Sequence, residues 1–180
     1  MNDVHTFSIG AFSEYDAKDF ISSLDVDKNV QFTNDCIQYI LGKLIWYLPF
    51  FIQILVEKIN YLICVEDKSL SNDTIDEAYN RLITENHFNT WDDRLKEYYE
   101  FEDSARKILK SCALSHGESR ENLLTNLTAA KNDVDIDKIE TNLSKLLNML
   151  QNDGYLAKHE GKYFFRSPLL RDFWYNRYIF

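Results

Sequence analysis

The sequence predicts a mainly α protein: a helical bundle over residues 1–100, then a winged-helix domain over residues 101–180 with a small β-hairpin wing. Three observations carry this expectation. Glycine (5) and proline (2) are sparse in 180 residues, which favours helices over a many-turned sheet. Apolar residues recur at three- and four-residue spacing along most of the chain. Finally, Asp153 to Trp174, "DGYLAKHEGKYFFRSPLLRDFW", reads as a helix end, a strand, a polar turn, a second strand and a new helix start.

The first half opens with His5–Ile9, which alternates enough for a short strand. Ser13 then caps a helix reaching Leu24, with Ala17, Phe20, Ile21 and Leu24 on one face. Thr33 caps a second helix carrying Cys36, Ile37, Ile40 and Leu41, which Gly42 and the stretch before Pro49 are expected to interrupt. A third helix runs from Pro49 to about Val65 and is apolar on nearly every side, so most of it should be buried. Thr74 with Glu77 forms a capping box that opens a helix to about Glu85. Another helix begins at Asp92 or Asp93, whose carboxylates are read as favourable at a helix N-terminus.

From Phe101 the layout changes to three helices and the wing. The first, "EDSARKILKSCALS", closes at Gly117, and the second is "SRENLLTNLTAA". The third starts at Asp135 or Asp137 and puts Ile139, Leu143, Leu146, Leu147 and Leu150 on its core face. Gly154 sits where that helix needs a residue tolerant of the left-handed conformation. Tyr155-Leu156 and Tyr163-Phe164-Phe165 are β-prone runs around the turn His159-Glu160-Gly161. Ser167-Pro168 is an N-cap followed by proline at the first helical position.

Charge and composition then limit function. Residues 1–100 hold 8 basic and 18 acidic side chains, and residues 101–180 hold 12 and 11. The first half is therefore a poor surface for phosphates or anionic lipid. Leu44 to Val56 is the most apolar stretch, but it contains Pro49 and Gln53 and falls short of the roughly 18 residues a membrane helix needs. The opening "MNDVHTFSIG" has neither the basic nor the apolar region of a signal peptide, so a cytoplasmic protein is expected. Cys36, Cys64 and Cys112 lie far apart without metal-ligand spacing, and are read as buried thiols in a reducing compartment.

Catalytic patterns are missing from these 180 residues. A P-loop needs a glycine, four residues, then Gly-Lys-Ser/Thr, because backbone N–H groups must wrap phosphates. Around Gly42-Lys43 and Gly161-Lys162 the leading glycine is replaced by Ile37 and Leu156, and the hydroxyl residue by Leu44 and Tyr163. His5, His87, His116 and His159 have no helical histidine partner and no serine-nucleophile motif beside them, and are read as surface or capping residues. The chain alone is therefore expected to be no enzyme and to hold no cofactor or metal.

Three stretches taken in order resemble the C-terminal half of AAA+-like P-loop ATPases of archaea and bacteria. "FSIGAFSEYDAKDFISSL" looks like their final core strand leading into a helical lid. "WYLPFFIQILVEKI" is similar to a lid segment written Trp-Pro-x-Pro-Tyr-x-x-Gln, matched at Trp46, Pro49, Phe50 and Gln53. The wing is similar to the family's closing segment, which ends in Ser-Pro-Leu-Leu-Arg and a tryptophan. The resemblance covers nearly the whole chain. It implies a lid plus winged-helix module whose ATPase core, with its ATP and magnesium, lies upstream or in another chain. It also implies adenine-side contact by Pro49, with Trp46 and Tyr47 beside it, although Tyr47 departs from the family's first proline. Lid helices without their core should leave apolar surface around Phe7, Phe12 and Phe50, suited to self-association or to docking the core.

Two functions compete at this stage. One is a non-catalytic regulatory module coupling nucleotide state to a protein partner; the other is a DNA-binding winged helix. For DNA the candidates are Lys145, Lys158, His159, Lys162 and Arg166. Against it, Asp137, Lys138, Glu140 and Lys145 on the third helix sum to zero, and no arginine, the side chain best suited to guanine, lies between Arg120 and Arg166. The expectation is a wing that meets protein.

Overall fold

The structure is a computed structural model, which describes residues 10–25, 30–129 and 136–179. Among the described residues it is mainly helical with one small antiparallel sheet, as the sequence predicts. The chain divides into two compact units, Met1–Tyr79 and Asn80–Phe180. His5–Ile9, Phe7 and Asp135 lie outside the described residues.

The first unit is built from α1 (Glu14–Asp25), α2 (Asn34–Leu44), α3 (Pro49–Cys64) and the start of α4 (Asn72–Thr84). Ser13 caps α1 by accepting the Asp16 N–H at 3.1 Å, and Thr33 caps α2 by accepting that of Cys36 at 3.3 Å. Gly42 does not interrupt α2, which runs on to Leu44. Buried Leu41 and Leu44 hold that turn, and glycine's helix cost of about 1 kcal/mol is small beside two buried leucines. The break comes at Ile45, whose φ of 57° reverses the chain ahead of Pro49.

α3 is the axis of this core. Phe51, Ile52, Leu55, Val56, Ile59 and Leu62 are fully buried, and α1 lays Ala17 and Ile21 against it. Its outer stripe is not buried: Phe50, Gln53, Glu57 and Tyr61 face solvent, so the helix is less enclosed than its composition predicts. The α4 cap also differs from the sequence reading. Ser71 accepts the Thr74 N–H at 3.2 Å, and Thr74 is in the first turn, donating its hydroxyl to the Ser69 carbonyl at 2.7 Å. Glu77 is left to pair with Lys68 at 2.5 Å. A serine three residues ahead of Thr74 wins because the cap must precede the first turn.

The division between the units falls within α4, some twenty residues before the change of layout near residue 100. The physical reason is packing. Residues 86–101 form two 3₁₀ turns (Asn86–Phe88, Leu95–Phe101) around a short α5 (Asn89–Arg94). They contribute Phe88, Trp91, Leu95 and Tyr98 to the second core, where Phe88 meets Phe173 at 5.2 Å and Trp91 meets Tyr155 edge-on at 5.2 Å.

The second unit continues through α6 (Glu102–Ser115), β1 (Glu118–Ser119), α7 (Arg120–Thr128), α8 (Ile136–Asn152), β2 (Leu156–His159), β3 (Lys162–Phe165) and α9 (Pro168–Tyr178). Helix, strand, helix, helix, hairpin is the winged-helix layout. β1, which the sequence pattern does not announce, pairs with β3 (Glu118 opposite Tyr163), giving sheet order β1-β3-β2. β2 and β3 pair from Leu156–Phe165 to His159–Lys162, so the turn itself is only Glu160-Gly161, with φ of 48° and 77°. A two-residue loop with both φ positive matches the twist of the flanking strands. Gly117 (φ 121°) lies against the Phe164 ring so closely that a Cβ would sit 2.2 Å from it. Ser167 caps α9 through the Leu170 N–H, with Pro168 following, as predicted. No described helix is long and apolar enough to cross a membrane.

Candidate functional site

The residues that resemblance assigns to the adenine side come together at the α2–α3 turn. The turn is tight: Trp46 N–H reaches the Leu44 carbonyl at 2.6 Å and Leu48 N–H reaches that of Trp46 at 2.9 Å. Phe12 donates its N–H to the Tyr47 carbonyl at 2.9 Å, which fastens the segment before α1 onto this turn. Pro49 takes the first position of α3, where its missing N–H costs nothing, and Leu48 at the cap offers no side-chain bond. Trp46 stacks edge-on against Phe51 at 5.7 Å, and Phe50 tilts against the same ring at 5.7 Å.

Trp46, Tyr47 and Pro49 are each half-buried, while Phe50, Ile45 and Tyr15 project outward at 41%, 66% and 72% exposure. Phe12 is half-buried and rests on Phe20 at 5.3 Å. The outcome is an aromatic ledge with apolar side chains turned to solvent, formed where the α2 reversal meets the start of α3. Ile45 escapes the sequence reading because its exposure depends on the turn geometry.

One electrostatic cluster stands behind this ledge. Lys43 Nζ pairs with Asp76 at 2.7 Å and lies 5.2 and 5.7 Å from the ring centres of Tyr39 and Tyr79. The Tyr39 hydroxyl also donates to Asp76. The hydrogen bond from Lys43 holds the Asp76 carboxyl below its ordinary value, and the same bond raises Lys43. It links α2 to α4.

The five DNA candidates are not gathered into one patch. Alternation along the hairpin puts Lys158 on the face of its partner Tyr163, whose ring it covers at 5.5 Å, and turns His159 and Lys162 to the opposite face. Lys145 stands over the Phe101 ring at 4.9 Å. Arg166 donates its backbone N–H to the Tyr155 carbonyl at 2.9 Å as β3 ends. On α8 itself, Arg120 binds the Glu140 carbonyl at 3.2 Å and the Ser144 hydroxyl at 2.9 Å, so an internal contact uses part of its outer face.

Behind the wing is a polar clasp that sequence reasoning missed. Asp92, read as a helix-start acid, lies within α5, is buried, and is ion-paired with Arg106; Arg177 stands 3.7 Å from its other oxygen. Arg106 also reaches Glu102 at 2.9 Å and the Tyr178 hydroxyl at 3.2 Å. Tyr155 donates to the Trp91 carbonyl, and Tyr98 to Asp153, each at 2.5 Å. Burial above all, and then the Asp153 contact, raises the Tyr98 phenol, while burial is the main cause for Tyr155, so both stay protonated donors. The only sequence signal was Asp92 falling directly after Trp91, one of the apolar residues that segment buries.

The thiols divide. Cys112 is buried, and burial pushes it up to about 12, leaving it inert. Cys36 is half-buried and Cys64, the last residue of α3, is exposed, against the expectation that all three are enclosed.

No known protein family matches the sequence, and neither does any curated protein. Among solved structures, the fold is similar to a Walker-type ATPase of Pyrococcus abyssi, with a TM-score of 0.60 at 12% identity. The match covers 91% of this chain and 42% of that one, so the chain spans less than half the length of the protein it resembles.

Proposed function

We propose that this chain is the helical-lid and winged-helix portion of a P-loop ATPase system. In this reading it is a non-catalytic module that docks an ATPase core and couples nucleotide state to a protein partner. The observation that carries the reading is the fold match to part of a Walker-type ATPase, spanning 91% of this chain. The order of the lid and wing motifs and the missing P-loop support it from the sequence side.

In this proposal the aromatic ledge is the core-facing surface. Phe50 and Ile45 supply apolar area for docking, and Pro49, with Trp46 and Tyr47, borders the base of a nucleotide held by the core's own phosphate-binding loop. The adenine would meet the flat, half-buried edge of the turn; ATP and magnesium would be bound by groups outside these residues. Nucleotide exchange would change how firmly the ledge is held, and the second unit would present that change to a partner.

Calorimetry with MgATP tests the first step. Without a phosphate cradle, the expected dissociation constant is about 1 mM or weaker, a binding energy near −4 kcal/mol. Micromolar binding to this chain alone overturns the reading, because the chain would then hold nucleotide by itself.

A further inference from the structure

The second unit carries a groove that the ATPase reading does not use. It lies between α6 and α8, closed at one side by the end of α7, with a volume of about 420 Å³. That size suits a few inserted side chains. Phe101, Leu127, Ile139, Leu143 and Leu146 form an apolar floor. Its charged rim has Glu100 in the 3₁₀ turn just before α6, Asp103 in the first turn of α6, Lys107 one turn later, about 6 Å on, and Lys138 on the α8 side. Asp103 and Lys107 have the spacing to pair with each other, yet among the described residues neither they nor Glu100 make an ion pair or side-chain hydrogen bond. One residue before the rim, Tyr99 is 84% exposed and held at φ 50°, ψ −115°, a backbone a bulky residue adopts only at a cost.

We infer that this groove is the partner-docking site, and that it takes an amphipathic helical segment of another protein. The segment inserts apolar side chains onto the floor and carries a cation and an anion about one turn apart. Its cation meets Glu100 and Asp103, and its anion meets Lys107. Charge complementarity selects this occupant over an all-basic or all-acidic one, each of which would set like charge against part of the rim. The inference names the partner class left open above and rests on reading the second unit as a protein-binding module.

Three synthetic helical peptides of about four turns, sharing one leucine face, test it on the full chain labelled with ¹⁵N. One carries Arg and Glu a turn apart, one only Arg, one only Glu. The mixed peptide is expected to shift the amides of Phe101, Ser104 and Asn142 saturably and to bind about fivefold tighter than either other peptide. Glu100→Lys with Asp103→Lys should remove that advantage; both positions are exposed, and the amide spectrum reports that the fold is intact. Absence of saturable shifts at the groove, shifts centred elsewhere, equal affinity for the three peptides, or an advantage unmoved by the two substitutions each overturns the assignment. No nucleotide is present, so this result and the calorimetry above fail independently.

Discussion

The two units solve the problem of a small core in opposite ways. The first surrounds one aliphatic helix: α3 buries Phe51, Ile52, Leu55, Val56, Ile59 and Leu62, and its neighbours mostly add more aliphatic side chains. The second is organised around aromatic rings with polar handles, where Tyr155 touches both Trp91 and Trp174, and Trp174 touches Phe165, Phe173 and Tyr178. Hydroxyls and guanidinium groups then fix those rings in one arrangement. Aliphatic packing has few directional demands and tolerates a partner on its outer face. An aromatic core pinned by hydrogen bonds is committed to one geometry.

The largest effect should come from removing the centre of the aromatic core. Trp174→Ala is expected to cost the second unit about 3–5 kcal/mol, read as lost amide-exchange protection across α6, α8 and the hairpin. The contrast sharpens if α1–α3 keep their protection, and it breaks if they lose it equally.

Gly117→Ala should be the next largest. Both its φ of 121° and the 2.2 Å approach to Phe164 forbid a Cβ without movement of the β1–β3 contact. A loss of about 1–3 kcal/mol by denaturant titration is expected. A change below a few tenths would mean that the wing base is looser than the aromatic core suggests.

Asn60 tests the aliphatic unit in the opposite direction. Its side-chain oxygen is buried within α3 and accepts no hydrogen bond among the described residues. Asn60→Leu should raise stability by about 1 kcal/mol, because an unpaired buried carbonyl is replaced by apolar surface. A loss would show that this helix, too, depends on a directional contact.

The smallest effect concerns the Lys43–Asp76 pair. The folded Asp76 value is lowered, so its contribution is complete above the ordinary value of 3.8 and is lost as pH falls through the folded value. Lys43 is raised, so its contribution is complete below 10.5 and is lost as pH rises through its folded value. The pair is partly exposed, so Asp76→Asn should cost about 0.5 kcal/mol near neutral pH and almost nothing at pH 2, measured by thermal melts. An equal loss at both pH values would assign the effect to packing of Tyr39 instead.

What the sequence determined by itself was whatever is settled within a few residues. Ser13, Thr33 and Ser167 cap the helices they were assigned, since a cap bond spans only two or three positions. Gly154 ends α8 at φ 85°, Pro168 opens α9, and the hairpin falls on the β-prone runs that flank Glu160-Gly161. The leucines of α8 face the core because helical period fixes them on one side. At the candidate site, Trp46, Tyr47 and Pro49 share one turn because they are near neighbours in the chain.

Long-range pairing decided the rest. β1 is two residues long and exists because β3 lies beside it. Asp92 became a buried anion through Arg106 and Arg177, 14 and 85 positions away, which no local pattern encodes. Ile45 joined the ledge because its positive φ turns the chain there. The division into units falls after Tyr79, not near residue 100, with Phe88, Trp91 and Tyr98 buried in the second unit. Local rules act through bonds between near neighbours, whereas burial is decided by whichever distant surface is in reach.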